Sequence, residues 1–106
     1  MNGDVLGRLV ETIRARRSAS GDSSYTRQLL DKGVEKCAKK FGEEAVEAVI
    51  AAMAQSDERL CSESADVIYH LLVLLESRNI KFDDVLAVLE SRKGQSGLEE
   101  KAGRPK

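Results

Sequence analysis

Proline occurs once in this chain, at Pro105, so no pyrrolidine ring interrupts a helix before the far C-terminal end. Long apolar runs are missing: the longest, Leu71 to Leu75, stops at Glu76 and is far too short to span a bilayer. No sign of charge dominates. Seventeen Lys and Arg stand against 18 Asp and Glu, for a net charge of −1 and a pI near 5.9. General nucleic-acid binding, which needs a basic excess, is therefore not expected. Cysteine is scarce; Cys37 and Cys61 have no CxxC partner, which excludes a visible thiolate metal site and suits a reducing compartment. No Walker-type glycine loop is present, so phosphate binding would not use a P-loop. The N-terminus MNGDVLGRLVETIRARR is amphipathic and broken by acids, unlike a secretory signal. A cytoplasmic protein without a membrane partner is expected.

What remains is helical spacing. At 42% hydrophobic and 33% charged, the chain has the balance of a globular domain. Val5, Leu6, Leu9, Val10 and Ile13 predict a first helix over about residues 4–17. The Ser- and Gly-rich stretch from Ser18 to Ser24 predicts a loop. A short helix from Tyr25 to Lys32 follows, with Gly33 as its C-cap, and then a long helix from Val34 to Ala54. Ser56 reads as the N-cap of a fourth helix that ends near Arg78, where Asn79 suits the left-handed conformation. Asp83 or Asp84 is expected to start a last helix reaching about Arg92. Residues 1–92 thus read as one domain and 93–106 as a mobile tail. No strand signal or internal repeat competes. The fold expected is all-α, an antiparallel bundle of four to five helices. Val67 to Leu75 is apolar almost all round, which calls for cover on more than one side. Either the chain's own helices or a second subunit supplies it. A homodimer is the expectation, with Leu72 and Leu75 as candidates to face the partner.

Four carboxylates carry the strongest chemical signal. Glu44 and Glu47 lie three residues apart on the third helix, and Glu63 and Asp66 three apart on the fourth, so each pair shares a face. Folding the two helices antiparallel about Gln55 and Ser56 sets Glu44 opposite Asp66 and Glu47 opposite Glu63, within about a residue of the turn's own midpoint. The same register sets Cys37 opposite Val73 and not Cys61, which argues against a disulfide. Four like charges so placed repel strongly without a counter-ion. Hard oxygen donors with no thiolate or imidazole beside them suit Mg²⁺, or Mn²⁺. The competing reading, a solvated face with pairs such as Lys40–Glu44, would win for any single glutamate but is less favoured for two pairs that meet in register.

Lys36, Lys40, Glu44 and Glu47 form one stripe, cationic at one end and acidic at the other. A polyphosphate can lie along such a stripe. Arg27 and Lys32 are weaker candidates of the same kind. Tyr25 and Tyr69 can stack on a base or bond a phosphate, and packing explains them equally well. His70, the only histidine, is read as a satisfied core residue in preference to a base, and the cysteines as core filler.

EEAVE at 43–47 followed by ESAD at 63–66 resembles the EExxE…ExxD signature of the MazG-like all-α nucleotide pyrophosphohydrolases. More closely, SYTRQLLDKGVEKCAKKFGEEAVEAVIAA, ESADVIYHLLVLL and DDVLAVLESR are similar to the phosphoribosyl-ATP pyrophosphohydrolase family over about residues 24–92. Cys37 and Phe41 stand where aliphatic residues are expected, and both stay apolar. The resemblance implies a Mg²⁺-dependent hydrolysis of 1-(5-phosphoribosyl)-ATP to 1-(5-phosphoribosyl)-AMP and pyrophosphate. It implies Glu44, Glu47, Glu63 and Asp66 as metal ligands with Glu43 in support. Glu47 or Glu43 would take the proton from water, and Lys36, Lys40, Arg27 and Tyr25 would contact substrate. Rival readings are a MazG-like enzyme for another triphosphate, a di-iron oxidoreductase and a non-catalytic dimerisation module. The di-iron reading lacks the Glu-x-x-His pairs it needs.

Overall fold

A computed structural model describes residues 4–17 and 24–93 of the chain. These form α1 (Asp4–Arg17), α2 (Tyr25–Lys32), α3 (Val34–Ala54), α4 (Asp57–Ser77) and α5 (Phe82–Ser91), with no strand among the described residues. The expected loop over 18–23 and the tail over 94–106 lie outside the described residues. No described helix is long and apolar enough to cross a membrane.

Local chemistry sets the helix ends. Ser24 Oγ accepts from the Arg27 N–H at 3.3 Å and caps α2. Gly33, at φ 92° and ψ 180°, serves both sides of the next junction. Its N–H donates to the Leu30 carbonyl at 3.1 Å, closing α2, and its carbonyl accepts from Cys37 N–H at 3.1 Å, opening α3. Ser56 caps α4 as expected, accepting from Arg59 N–H at 3.2 Å, with Asp57 and Glu58 in the first turn where the helix dipole favours anions. The far end of α4 closes on Asn79 at φ 59°. Asn79 N–H reaches the Glu76 carbonyl at 3.0 Å and Ile80 N–H the Leu75 carbonyl at 2.9 Å, the two bonds of a Schellman close. The start of α5 departs from expectation by a residue or two. Lys81 is the N-cap and makes no side-chain cap bond, and Asp83 and Asp84 sit inside the first turn, where they complement the dipole from within.

The antiparallel hairpin of α3 and α4 is the main packing unit, and α1 and α2 lie across it. Ile13, Leu29, Cys37, Leu72 and Val73 form one buried cluster drawn from four helices. Cys37 and Val73 thus meet as the register requires. Each buried aliphatic side chain contributes about 1.5–3 kcal/mol. Both cysteines are free, and burial pushes the Cys37 thiol up while its Sγ–H bonds the Leu29 carbonyl at 3.2 Å.

One expectation needs correcting. Leu72 is only 4% exposed and packs in the chain's own core, so it does not face a partner; Leu75 is half-buried. The reason is that α1 and α2 fold back over α4 and cover its apolar run. An apolar face that the described helices leave open lies on the second half of α3. Val46, Val49, Ile50 and Met53 recur at helical spacing and are 58%, 57%, 43% and 83% exposed.

Candidate active site

Along α3, Cys37, Phe41, Glu44, Ala48 and Ala51 follow the line that faces the interior. Glu44 therefore projects toward α4. Glu47, three residues on, lies about 60° round the helix from it and is exposed. On α4, Glu63 and Asp66 face back. Carboxylate oxygens of Glu44, Glu63 and Asp66 all lie within 4.8 Å of one another. Three of the four acids expected to gather do so, and Glu47 stands outside the group, on the edge shared with Val46 and Ile50.

Glu63 is buried, at 7% exposure. Burial pushes its carboxyl above the ordinary value; Arg59 opposes this, and the neighbouring Asp66 and Glu44 reinforce it. Such crowding fits a cation. Ligand oxygens about 2.0–2.1 Å from one Mg²⁺ lie roughly 3–4 Å apart, so small carboxylate rotations complete the fit. A groove of about 460 Å³ between α1 and α5, lined by Leu6, Val10, Phe82 and Leu86 among others, includes none of these acids.

The cationic end of the stripe is also in place. Lys40 Nζ lies 3.8 Å from Glu44 and 3.6 Å from Glu43. Its ammonium is favoured first by the nearby Tyr25 oxygen, against partial burial, and then by Glu43 and Glu44. Lys36 sits half-buried one turn earlier. Arg27 is engaged locally, 3.4 Å from Asp31 on α2 itself.

Beside the acids lies a ring cluster whose working the sequence did not disclose. Tyr25 Oη is 3.4 Å from His70 Nε2, and His70 Nδ1 is 2.9 Å from the Asp66 carbonyl oxygen. Thr26 Oγ1 and Tyr69 Oη are 2.5 Å apart. Burial raises the Tyr69 phenol, and the Thr26 bond opposes it. The Tyr69 and His70 rings meet edge-on at 4.9 Å and the tyrosines stack at 6.4 Å. The i,i+4 spacing of Asp66 and His70 was the one available signal, since it puts His70 one turn from a proposed ligand.

The phosphoribosyl-ATP pyrophosphohydrolase family model matches residues 6–93. The chain belongs to the phosphoribosyl-ATP pyrophosphohydrolase family. Among its relatives, a phosphoribosyl-ATP pyrophosphatase of Cereibacter sphaeroides is 59% identical over 100 residues, covering 94% of this chain and 97% of the relative. One of Ruegeria pomeroyi is 57% identical over 102 residues, covering 96% and 97%. A phosphoribosyl-ATP pyrophosphatase 1 of Bradyrhizobium diazoefficiens is 60% identical over 96 residues, covering 91% of each chain.

Proposed function

We propose that this protein hydrolyses 1-(5-phosphoribosyl)-ATP to 1-(5-phosphoribosyl)-AMP and pyrophosphate, the second step of histidine biosynthesis. The observation that carries the reading is the meeting of Glu44, Glu63 and Asp66 with Glu63 buried among them, in a chain of this family. Glu44, Glu63 and Asp66 would hold Mg²⁺, or Mn²⁺, with exposed Glu47 one turn from Glu44 as a fourth ligand and Glu43 in support. A cation held there supplies charge neutralisation for the triphosphate and a lowered pKa for bound water. Glu47 or Glu43 takes the proton of the water that attacks phosphorus. Lys40, 3.8 Å from Glu44, binds phosphate oxygens together with Lys36, and Arg27 and Tyr25 extend the substrate surface along α2.

A homodimer is part of the same proposal. Val46, Val49, Ile50 and Met53 form an apolar stripe that the described helices leave open, beside Glu47. A second copy covering that stripe would exclude water at the edge of the site. The free cysteines suit a reducing compartment, and we place the protein in the cytoplasm.

The test is to incubate the protein with phosphoribosyl-ATP and Mg²⁺ and measure pyrophosphate release with and without chelator, beside a panel of other nucleoside triphosphates. Chelator-sensitive release from phosphoribosyl-ATP is expected. Faster release from another triphosphate would overturn the substrate assignment.

A further inference from the structure

Two neighbouring residues at the start of α2 are tied to two neighbouring residues of α4. Thr26 pairs with Tyr69, and Tyr25 with His70. The second tie has a direction that hydrogen-bond chemistry fixes. The Asp66 carbonyl oxygen can only accept, so His70 Nδ1, 2.9 Å away, carries the ring hydrogen. In the neutral ring Nε2 then holds a lone pair and no hydrogen. The Tyr25 hydroxyl has a single proton, and it donates that proton to Nε2. Its oxygen is left facing its other neighbours as an acceptor alone.

The surroundings make this consequential. His70 is 6% exposed, whereas Tyr25 is 48% exposed. The tie also reaches the acid group: Tyr25 meets His70, His70 meets the Asp66 backbone, and the Asp66 carboxylate lies within 4.8 Å of Glu44, which Lys40 approaches at 3.8 Å. The phenol oxygen is therefore linked, through a buried ring, to the backbone of an acid in the cluster.

We propose that Tyr25 determines specificity as a hydrogen-bond acceptor for an N–H or O–H group of the nucleoside part of the substrate, and that His70 is the positioning residue that imposes this role. Phosphate oxygens are acceptors, so Tyr25 so held does not bind them; that task falls to the lysines. The inference rests on the proposed hydrolysis and refines which part of the nucleotide each side chain meets.

The test compares Tyr25→Phe, His70→Phe, His70→Gln and the Tyr25→Phe/His70→Phe double variant, with thermal melting to confirm folding. Substrates are phosphoribosyl-ATP and its 2′-deoxyribose analogue. Tyr25→Phe should raise KM by about three- to tenfold, the loss of one neutral hydrogen bond, with kcat nearly unchanged. His70→Phe should raise KM similarly and the double variant no further, because both break one chain. His70→Gln, whose amide oxygen can still accept from Tyr25, should recover most of the loss. If Tyr25→Phe abolishes discrimination against the deoxy analogue, the donor is the ribose hydroxyl; if discrimination persists while KM rises, it is an N–H of the base. An unchanged KM in Tyr25→Phe overturns this inference alone, while no pyrophosphate release by the unmodified protein overturns the functional reading and this inference with it.

Discussion

Arg17 Nη1 lies 2.7 Å from Glu76 Oε2 and is shared with the Glu76 carbonyl at 3.1 Å and Asn79 Oδ1 at 2.6 Å. One guanidinium at the end of α1 thus holds a side chain, a backbone acceptor and the left-handed residue that together close α4. Arg14 adds a longer contact to Glu76 at 3.7 Å. Because Arg17 is 39% exposed, solvent screens part of the attraction. Arg17→Ala should cost about 1–2 kcal/mol and lower the melting temperature by roughly 4–10 °C, with the active-site geometry intact. An unchanged melting temperature would show that α1 docks by its apolar face alone.

Gly33 joins α2 to α3 at φ 92° and ψ 180°, a conformation almost confined to glycine. A Cβ added there meets nothing within 4 Å, so the cost of Gly33→Ala is in the backbone and not in a clash. The expected loss is about 1–3 kcal/mol, read as a lower denaturant midpoint at unchanged slope. Since α2 carries Tyr25 and Thr26, a shifted junction should raise KM as well. Wild-type stability would mean that the junction relaxes to another conformation.

Glu63 tests the acid cluster in two directions. Its carboxyl is held above its ordinary value, by burial first, so the folded state favours the protonated form. Its contribution is full below the unfolded pKa and is lost as pH rises through the folded pKa. As pH rises through that folded-state value, the metal-free fold gains an unfavourable ionised Glu63. Glu63→Gln should raise the metal-free melting temperature at pH 7 and remove the part of its decline that sets in as pH rises through the folded-state pKa of Glu63. The same change should lower turnover by more than about 100-fold, beyond the loss typical of residues that merely support a ligand. A variant that turns over normally, or that melts lower without metal, would contradict the site.

Lys40→Ala separates substrate binding from metal binding. The ammonium lies near Glu44 and Tyr25, and its side chain is 26% exposed, so the full strength of a buried charged bond does not apply. KM should rise about three- to tenfold, and more in the Lys36→Ala/Lys40→Ala double variant, while Mg²⁺ affinity changes less. Calorimetric Mg²⁺ titration beside steady-state kinetics measures both. An unchanged KM would return the lysines to ordinary surface pairing.

The helices were legible because their signals are local. Ser56, Gly33 and Asn79 each mark an end by their own chemistry, and each sits at that end. The meeting of Glu44 with Asp66 and of Cys37 with Val73 was legible for a related reason: a tight turn and two long helices leave one antiparallel register. Glu47 was harder. Spacing put it on the same face as Glu44, but about 60° of rotation decides whether a carboxylate points into a hairpin or past its edge. Leu72 was misread because an apolar run reveals that it needs cover without naming the cover, and α1 and α2 return from a distance in sequence to provide it. The Tyr25–His70 bond escaped for the same reason, since its partners lie 45 residues apart and no periodicity joins them.

The open stripe on α3 makes the assembly testable without disturbing the core. Val49 and Met53 are 57% and 83% exposed in the single chain, so Val49→Glu and Met53→Glu place a charge in water if the chain is alone and in an apolar contact if two copies pair there. In the first case neither stability nor mass changes. In the second, an uncompensated charge at the interface costs about 3–5 kcal/mol, which weakens association by a factor of roughly 100 or more. Leu72→Glu is the contrasting control: it should unfold the protein, because Leu72 lies in the chain's own core. Sedimentation equilibrium should give a dimer for the unmodified protein and a monomer with intact helices for the α3 variants. Since Glu47 borders the stripe, turnover should fall along with association. A monomeric mass for the unmodified protein at high concentration, with full activity, would overturn the dimer and leave the stripe to some other partner.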